Sequence, residues 1–69
     1  MKSLSGKKLC KIIEKHGWVL KRINGSHYIY KKEGREELIV IPVHKNQDLK
    51  SGLLRSILKI AGIEESELS

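Results

Sequence analysis

The 69-residue chain carries 14 lysines and arginines against 8 acidic residues, a formal net charge of +6. Its one cysteine excludes a disulfide framework or a cysteine-based zinc cluster, and its longest apolar run is too short to cross a bilayer. We expect one domain, residues 1–69, that is soluble and cytoplasmic and has no signal peptide. The excess of positive charge favours a polyanionic partner such as nucleic acid, the alternative being a surface kept basic for solubility.

The first predicted element is a helix that Ser5 caps and Gly17 ends. Four residues repeat with helical spacing on one face: Leu9, Ile12, Ile13 and His16. Cys10 is expected in the core or at its boundary. The lysines of the other face are expected to be solvated or to contact phosphates; they are Lys7, Lys8, Lys11 and Lys15.

Three strands follow in the predicted order. Trp18–Ile23 is rich in aromatic and branched residues, and Asn24-Gly25 is a strong hairpin signal because both residues tolerate positive φ. In the returning strand, His27–Lys32, alternation places His27, Ile29 and Lys31 on one face and Tyr28, Tyr30 and Lys32 on the other. The third strand, Glu37–Val43, is almost wholly apolar, which predicts burial on both faces, and Pro42 should mark its end.

A polar loop, His44–Lys50, leads to a second helix over Ser51–Ala61, and Gly62 ends it. Its predicted buried stripe comprises Leu53, Leu54, Ile57, Leu58 and Ala61. The tail, Ile63–Ser69, has room for one further turn. The order predicts an α+β fold, an α-β-β-β-α two-layer sandwich in which two helices cover one face of a three-stranded antiparallel sheet. Double-stranded-RNA-binding domains use the same order.

Four short segments stand out along the chain: His16-Gly17-Trp18, Gly25-Ser26-His27, Pro42-Val43-His44 and the run Gly52–Ile63. Together they resemble the HicA toxins of toxin–antitoxin systems, and the resemblance extends over nearly the whole chain. It implies a fold similar to double-stranded-RNA-binding domains and a ribonuclease that cleaves mRNA. It also implies a HicB-type antitoxin protein that covers the active site. The family's catalytic histidine follows a hairpin glycine by two residues, which maps onto Gly25 and His27. In many members a second histidine or another polar residue directly follows the catalytic one, whereas this chain has Tyr28 there. This difference leaves the role of His27 unchanged but could alter the groove that binds the substrate.

Histidine can perform this chemistry without metal. RNA is cut when its own 2′-OH loses a proton and attacks phosphorus while the leaving 5′-oxygen gains a proton, and the unperturbed pKa of histidine, about 6.5, suits both transfers. Gly25 would let a phosphate approach the backbone, and Ser26 could donate a hydrogen bond. Lys31, on the face of His27, is one candidate for stabilising the phosphate charge. Further candidates are Lys21, Arg22 and Lys45.

The remaining histidines and aromatic residues each allow two interpretations. His44 could supply the second proton transfer or contact RNA, or it could anchor its loop. His16 is better placed to cap the first helix. Trp18 is expected in the core, whereas Tyr28 and Tyr30 could equally well stack on bases. No metal-binding motif and no nucleotide loop occurs, so neither metal nor cofactor is expected.

Three functions therefore stay open on the residues alone. The first is a metal-independent endoribonuclease toxin with His27 as general acid/base. The second is a non-catalytic RNA-binding module of the same fold. The third is a protein whose main task is to bind the antitoxin, with catalysis lost.

Overall fold

The computed structural model describes residues 3–45 and 47–68, so that Met1, Lys2, Asn46 and Ser69 lie outside the described residues. The elements are α1 Gly6–Lys15, β1 Val19–Asn24, β2 His27–Lys31, β3 Leu38–Pro42, α2 Ser51–Ala61 and a 3₁₀ turn Glu65–Leu68. The predicted α-β-β-β-α order is confirmed, and the tail forms the single turn that was expected. Across the described ranges, no helix is long and apolar enough to cross a membrane.

Helix α1 begins as its sequence predicts. The backbone of Ser5 is extended, and its Oγ accepts a hydrogen bond of 3.2 Å from the amide of Lys8. This bond satisfies one of the amides that the first turn leaves free. Leu9 and Ile13 are fully buried, while His16 follows the last helical residue as the C-cap. The amphipathic pattern of α1 therefore sets which side packs on the sheet.

The hairpin between β1 and β2 has its turn at Gly25-Ser26, one residue later than Asn24-Gly25. Asn24 pairs with His27 at the end of β1, and Gly25 has a φ of +63°. A two-residue loop with positive φ at its first position fits the twist of a hairpin. The observed register places Ile23 opposite Tyr28, whereas a turn at Asn24-Gly25 would have shifted every side chain of β1 relative to β2.

The sheet has the order β1-β2-β3, antiparallel throughout, and its two faces differ. Tyr30 is buried and Tyr28 half-buried on the face toward the helices, whereas His27, Ile29 and Lys31 lie on the other, which we call the open face. The predicted alternation of β2 is confirmed. The core comprises Leu4, Leu9, Cys10, Ile13, Trp18, Tyr30, Ile39, Ile41, Leu54, Ile57, Leu58, Ala61 and Ile63.

The prediction that β3 is buried on both faces was wrong. Ile39 and Ile41 are 1% and 0% exposed, but Leu38 and Val40 are 52% and 44% exposed on the open face. Both helices contact β3 from the same side, so nothing in the described chain covers its second face. Leu53, expected in the buried stripe of α2, is also 39% exposed, because it lies at the edge of that stripe.

Two residues that the sequence analysis did not single out hold elements together. A Cβ on Gly6 would overlap the carbonyl oxygen of Pro42 and lie 3.2 Å from the Cα of Val43, so α1 packs directly on the backbone at the end of β3. Arg35 donates a 2.8 Å hydrogen bond to the carbonyl oxygen of Ile60 in α2, and its guanidinium lies 5.8 Å from the centre of the Trp18 ring. These contacts attach both helices to the ends of β3.

Candidate functional site

His27 is the first residue of β2 and lies where the sheet meets its hairpin turn. Its neighbours across the sheet are Asn24 and Pro42. The side chain is exposed, and among the described residues its ring makes no hydrogen bond or ion pair. The positive φ of Gly25 makes the tight turn that leaves this imidazole accessible. His27 is therefore held by its backbone while both ring nitrogens can reach a ligand.

The structure brings a second imidazole to the same hairpin. The Nε2 atom of His44 lies 3.4 Å from the Oγ atom of Ser26, and the amide of Val43 donates a 2.8 Å hydrogen bond to the carbonyl oxygen of Ser26. The first residue after β3 is thus hydrogen-bonded to the β1–β2 turn. His44, distant in sequence, thus joins Ser26 and His27 at one end of the sheet, which we call the hairpin end.

The predicted cations are not gathered at the hairpin end. Lys31 is on the open face with His27, but four residues along the strand correspond to about 13 Å. Its ammonium donates to the carbonyl oxygen of Arg35. Lys45, with a φ of +51°, is exposed just after His44. Lys21 falls at the irregularity in β1, and Arg22 pairs with Ile29 across the open face. Of these cations, Lys45 is the one next to His44 in the chain.

His16, which was expected to cap the first helix, lies away from this site. It caps the C-terminus of α1, and its Nε2 atom lies 3.7 Å from the Oε1 atom of Glu67 in the final turn. Because α1 ends where β1 begins, His16 is separated from the hairpin end by the length of the first strand. Its contacts indicate a structural role.

A second concave surface, which the sequence analysis missed as a unit, lies between α1 and the β1–β2 side of the sheet. This α1 groove has a volume of about 450 Å³. Its floor is formed by Leu20, Tyr28, Tyr30, Val43 and Cys10, and its charged lining by Lys7, Lys11, Lys45 and Glu14. The sequence analysis did identify its two parts separately, the lysine-rich face of the first helix and the face of the second strand that carries the two tyrosines. That the two meet depends on how α1 crosses the sheet.

The ionisable groups beneath the groove are held neutral. Burial raises the pKa of the Cys10 thiol, and burial together with hydrogen bonds to Cys10 and Glu14 raises the pKa of Tyr30. The Tyr30 hydroxyl donates to the Oε2 atom of Glu14 at 2.6 Å. Since the thiolate is the reactive form of cysteine, Cys10 is a packing residue rather than a nucleophile.

The hairpin end thus carries two exposed imidazoles, that of His27 and that of His44 beside the Ser26 hydroxyl, and imidazoles of this kind can transfer protons. Within residues 3–45 and 47–68, no group of three or more His, Cys, Asp or Glu side chains is placed to hold a metal ion.

Comparison with known proteins indicates the family to which the chain belongs. None of the curated proteins matches the chain significantly. The sequence model of the HicA toxin of bacterial toxin–antitoxin systems matches residues 6–63, from the start of α1 to just past α2. The match includes the hairpin with His27 and the segment with His44. Because it spans most of the sequence, the chain belongs to the HicA toxin family.

Proposed function

We propose that the chain is a metal-independent endoribonuclease that cleaves mRNA in the cytoplasm and thereby inhibits translation, with His27 as general acid/base. The observation that supports this most is the hairpin end itself. There the imidazole of His27 is exposed and has no partner among the described residues, and Ser26, its neighbour in the chain, contacts the second imidazole, that of His44. Because this imidazole is exposed, both of its ring nitrogens are open to a substrate, whereas those of a buried structural histidine would be bonded within the protein.

The proposed reaction needs two proton transfers. A base removes the proton of the 2′-OH, the resulting oxygen bonds to the adjacent phosphorus, and the bond to the 5′-oxygen breaks as that oxygen gains a proton. The products are a 2′,3′-cyclic phosphate and a free 5′-OH. His27 performs one of the two transfers, and His44 is the candidate for the other. In this proposal Gly25 and Ser26 approach the scissile phosphate, Lys45 binds RNA next to His44, and Lys31 contacts a phosphate farther along the open face.

Cleavage of RNA by the purified chain in the presence of EDTA tests this proposal. We expect His27→Ala to lower the cleavage rate by about 10²- to 10⁴-fold, the range that a positioned general acid or base provides. His44→Ala should cause a loss of similar order. His16→Ala is the matched control, because this histidine lies at the other end of the sheet, and it should cleave at the wild-type rate. The chain expressed alone should arrest growth, whereas His27→Ala should be tolerated.

The alternatives give different results in the same assay. Full-rate cleavage by His27→Ala would falsify the catalytic assignment, and loss of cleavage on chelation would contradict a metal-independent reaction. Binding of RNA without cleavage would identify a non-catalytic RNA-binding module. Capture of the antitoxin with neither binding nor cleavage would identify an interaction protein.

Membership of a toxin–antitoxin family implies an antitoxin partner. We propose that this partner is a HicB-type protein that covers the hairpin end. The exposure of His27 in the chain by itself supports this, since inhibition then requires only that the partner occlude the site. Addition of the antitoxin should abolish cleavage.

A further inference from the structure

The α1 groove combines three features that single-stranded nucleic acid requires. It is an open concavity of about 450 Å³, it has an aromatic residue in its floor, and lysines line it. Proteins that bind single strands use aromatic rings to stack on bases and cations to follow the phosphates. Each feature can be traced to particular residues.

Tyr28 is the ring available for stacking. It is half-buried, and its hydroxyl has no hydrogen bond in the described part of the chain. Tyr30, by contrast, is 1% exposed and bound to Glu14, so it supports the floor without being accessible. Leu20 and Val43 flank the floor with apolar surface. A planar apolar ligand of about the size of a base suits this floor.

The charged lining of the groove is net positive, with three lysines against one glutamate. Lys7 and Lys11 lie one helical turn apart on α1, and Lys45 follows β3. All three are exposed, and among the described residues none of them forms an ion pair. The carboxylate in the lining, Glu14, accepts a hydrogen bond from the Tyr30 hydroxyl. Three free ammonium groups around an aromatic ring are complementary to a phosphate-linked base.

The groove also adjoins the proposed catalytic site. Lys45 directly follows His44, and Val43, in the floor, is hydrogen-bonded to Ser26 at the hairpin turn. An RNA strand bound at His27 can therefore continue around the hairpin end into the groove. We propose that the α1 groove binds the single-stranded RNA flanking the cleavage site, with a base stacked on Tyr28 and phosphates on Lys7, Lys11 and Lys45. The identity of the ligand as RNA rests on the proposed function.

Binding of a short single-stranded 2′-O-methyl oligoribonucleotide tests the groove independently of catalysis, because this probe cannot be cleaved. Tyr28→Leu should weaken binding roughly 5- to 150-fold, as expected for the loss of one stacked base, while Tyr28→Phe should bind like the wild type. The double variant Lys7→Gln/Lys11→Gln should weaken binding and reduce the slope of log Kd against log salt by about 1.4, the value for two phosphate contacts with a single strand. Its charge-matched control is Lys8→Gln/Lys15→Gln, which changes two lysines of α1 outside the groove.

Each result supports or overturns the groove, and thermal melting verifies that each variant is folded. The groove proposal is overturned if Tyr28→Leu and Lys7→Gln/Lys11→Gln both bind the probe with wild-type affinity. It is also overturned if Lys8→Gln/Lys15→Gln loses as much affinity as Lys7→Gln/Lys11→Gln, or if the wild type does not bind the probe. Loss of antitoxin binding with unchanged probe affinity overturns it too, because the groove would then be a protein-docking surface. Cleavage of natural RNA, measured in parallel, separates the two proposals. If the chain cleaves RNA but the groove variants bind the probe normally, only the groove proposal is contradicted. If binding depends on the groove but no cleavage occurs, only the ribonuclease proposal is contradicted.

Discussion

The hydroxyl of Tyr30 lies under α1, where it donates to Glu14 and neighbours the Cys10 thiol. Ionisation of either Tyr30 or Cys10 would place a negative charge in the core, close to the carboxylate of Glu14. Burial is therefore the main reason that the pKa of each group lies above its ordinary value. The neutral forms belong to the folded state, and this couples stability to alkaline pH.

The expected effect is a loss of stability as the pH rises. An acid whose pKa is higher in the folded than in the unfolded state contributes its full stability below the unfolded pKa. It loses that contribution as the pH rises above the unfolded value, about 8.5 for cysteine and about 10 for tyrosine. Urea unfolding between pH 7 and pH 11 should show a midpoint that falls above about pH 9, and Tyr30→Phe should flatten the fall above pH 10.

The control for this measurement is Tyr28→Phe, which removes a hydroxyl from the groove rather than from the core. This variant should follow the wild-type curve. If Tyr30→Phe also follows the wild-type curve, the hydroxyl of Tyr30 is not the group that links stability to alkaline pH.

At the scale of elements, the junction between α1 and β3 is set by Gly6. Its missing side chain lets the first turn of α1 lie against the backbone of Pro42 and Val43. This junction matters for the site, since His44 and Lys45 leave β3 immediately after it. A side chain at Gly6 would have to move the helix or the segment that carries His44.

We expect Gly6→Ala to lower the free energy of unfolding by about 1–3 kcal/mol, the usual cost of overpacking, because backbone atoms cannot move aside as a flexible side chain can. The matched control is Gly52→Ala in the first turn of α2, where an added Cβ would meet no atom within 4 Å. That change should be neutral or raise stability by up to about 1 kcal/mol, since alanine favours helix. Equal effects of the two variants in denaturant unfolding would contradict close packing at Gly6.

Elements with a clear period could be predicted from the sequence. The spacing of Leu9 and Ile13 predicted α1 and its buried side, and the alternation of β2 predicted that Tyr30 and His27 lie on opposite faces. Periodicity identifies which side of an element is apolar, but not what covers it. The exposure of Leu38 and Val40 therefore went unpredicted, because both helices pack on the same side of β3.

The candidate site could be predicted only in its local part. His27 and Gly25 are neighbours of one turn, so a motif was enough to find them. The contact of His44 with Ser26 and the meeting of Lys11 with Tyr28 join distant parts of the chain. Such contacts depend on register and helix placement, and so does the bond of Arg35 to Ile60. A single sequence carries no direct signal for them.

At the scale of the whole molecule, the surfaces that the proposed function needs exposed are surfaces that cannot add to the buried core. The chain has a small core, and it leaves both the hairpin end and part of the open face uncovered. A domain of this size buries only about 60% of the surface that its unfolded chain exposes. Exposed apolar residues on the open face, Val19, Leu38 and Val40, add surface that the protein alone cannot bury. A toxin of this kind should gain much of its stability from its antitoxin.

Thermal melting of the chain with and without its antitoxin measures this gain. A partner that binds only the folded state at 100 times its Kd stabilises that state by about 2.7 kcal/mol. For a domain of this size, such a gain should raise Tm by roughly 10–20 °C. His27→Ala removes an exposed imidazole and should keep the fold, so it permits purification of the free chain, and the rise is measured at 100 times the Kd of this variant for the antitoxin. A complex that forms but melts at the Tm of the free chain would mean that the antitoxin binds the unfolded chain equally well. Inhibition by covering a folded site would then be wrong.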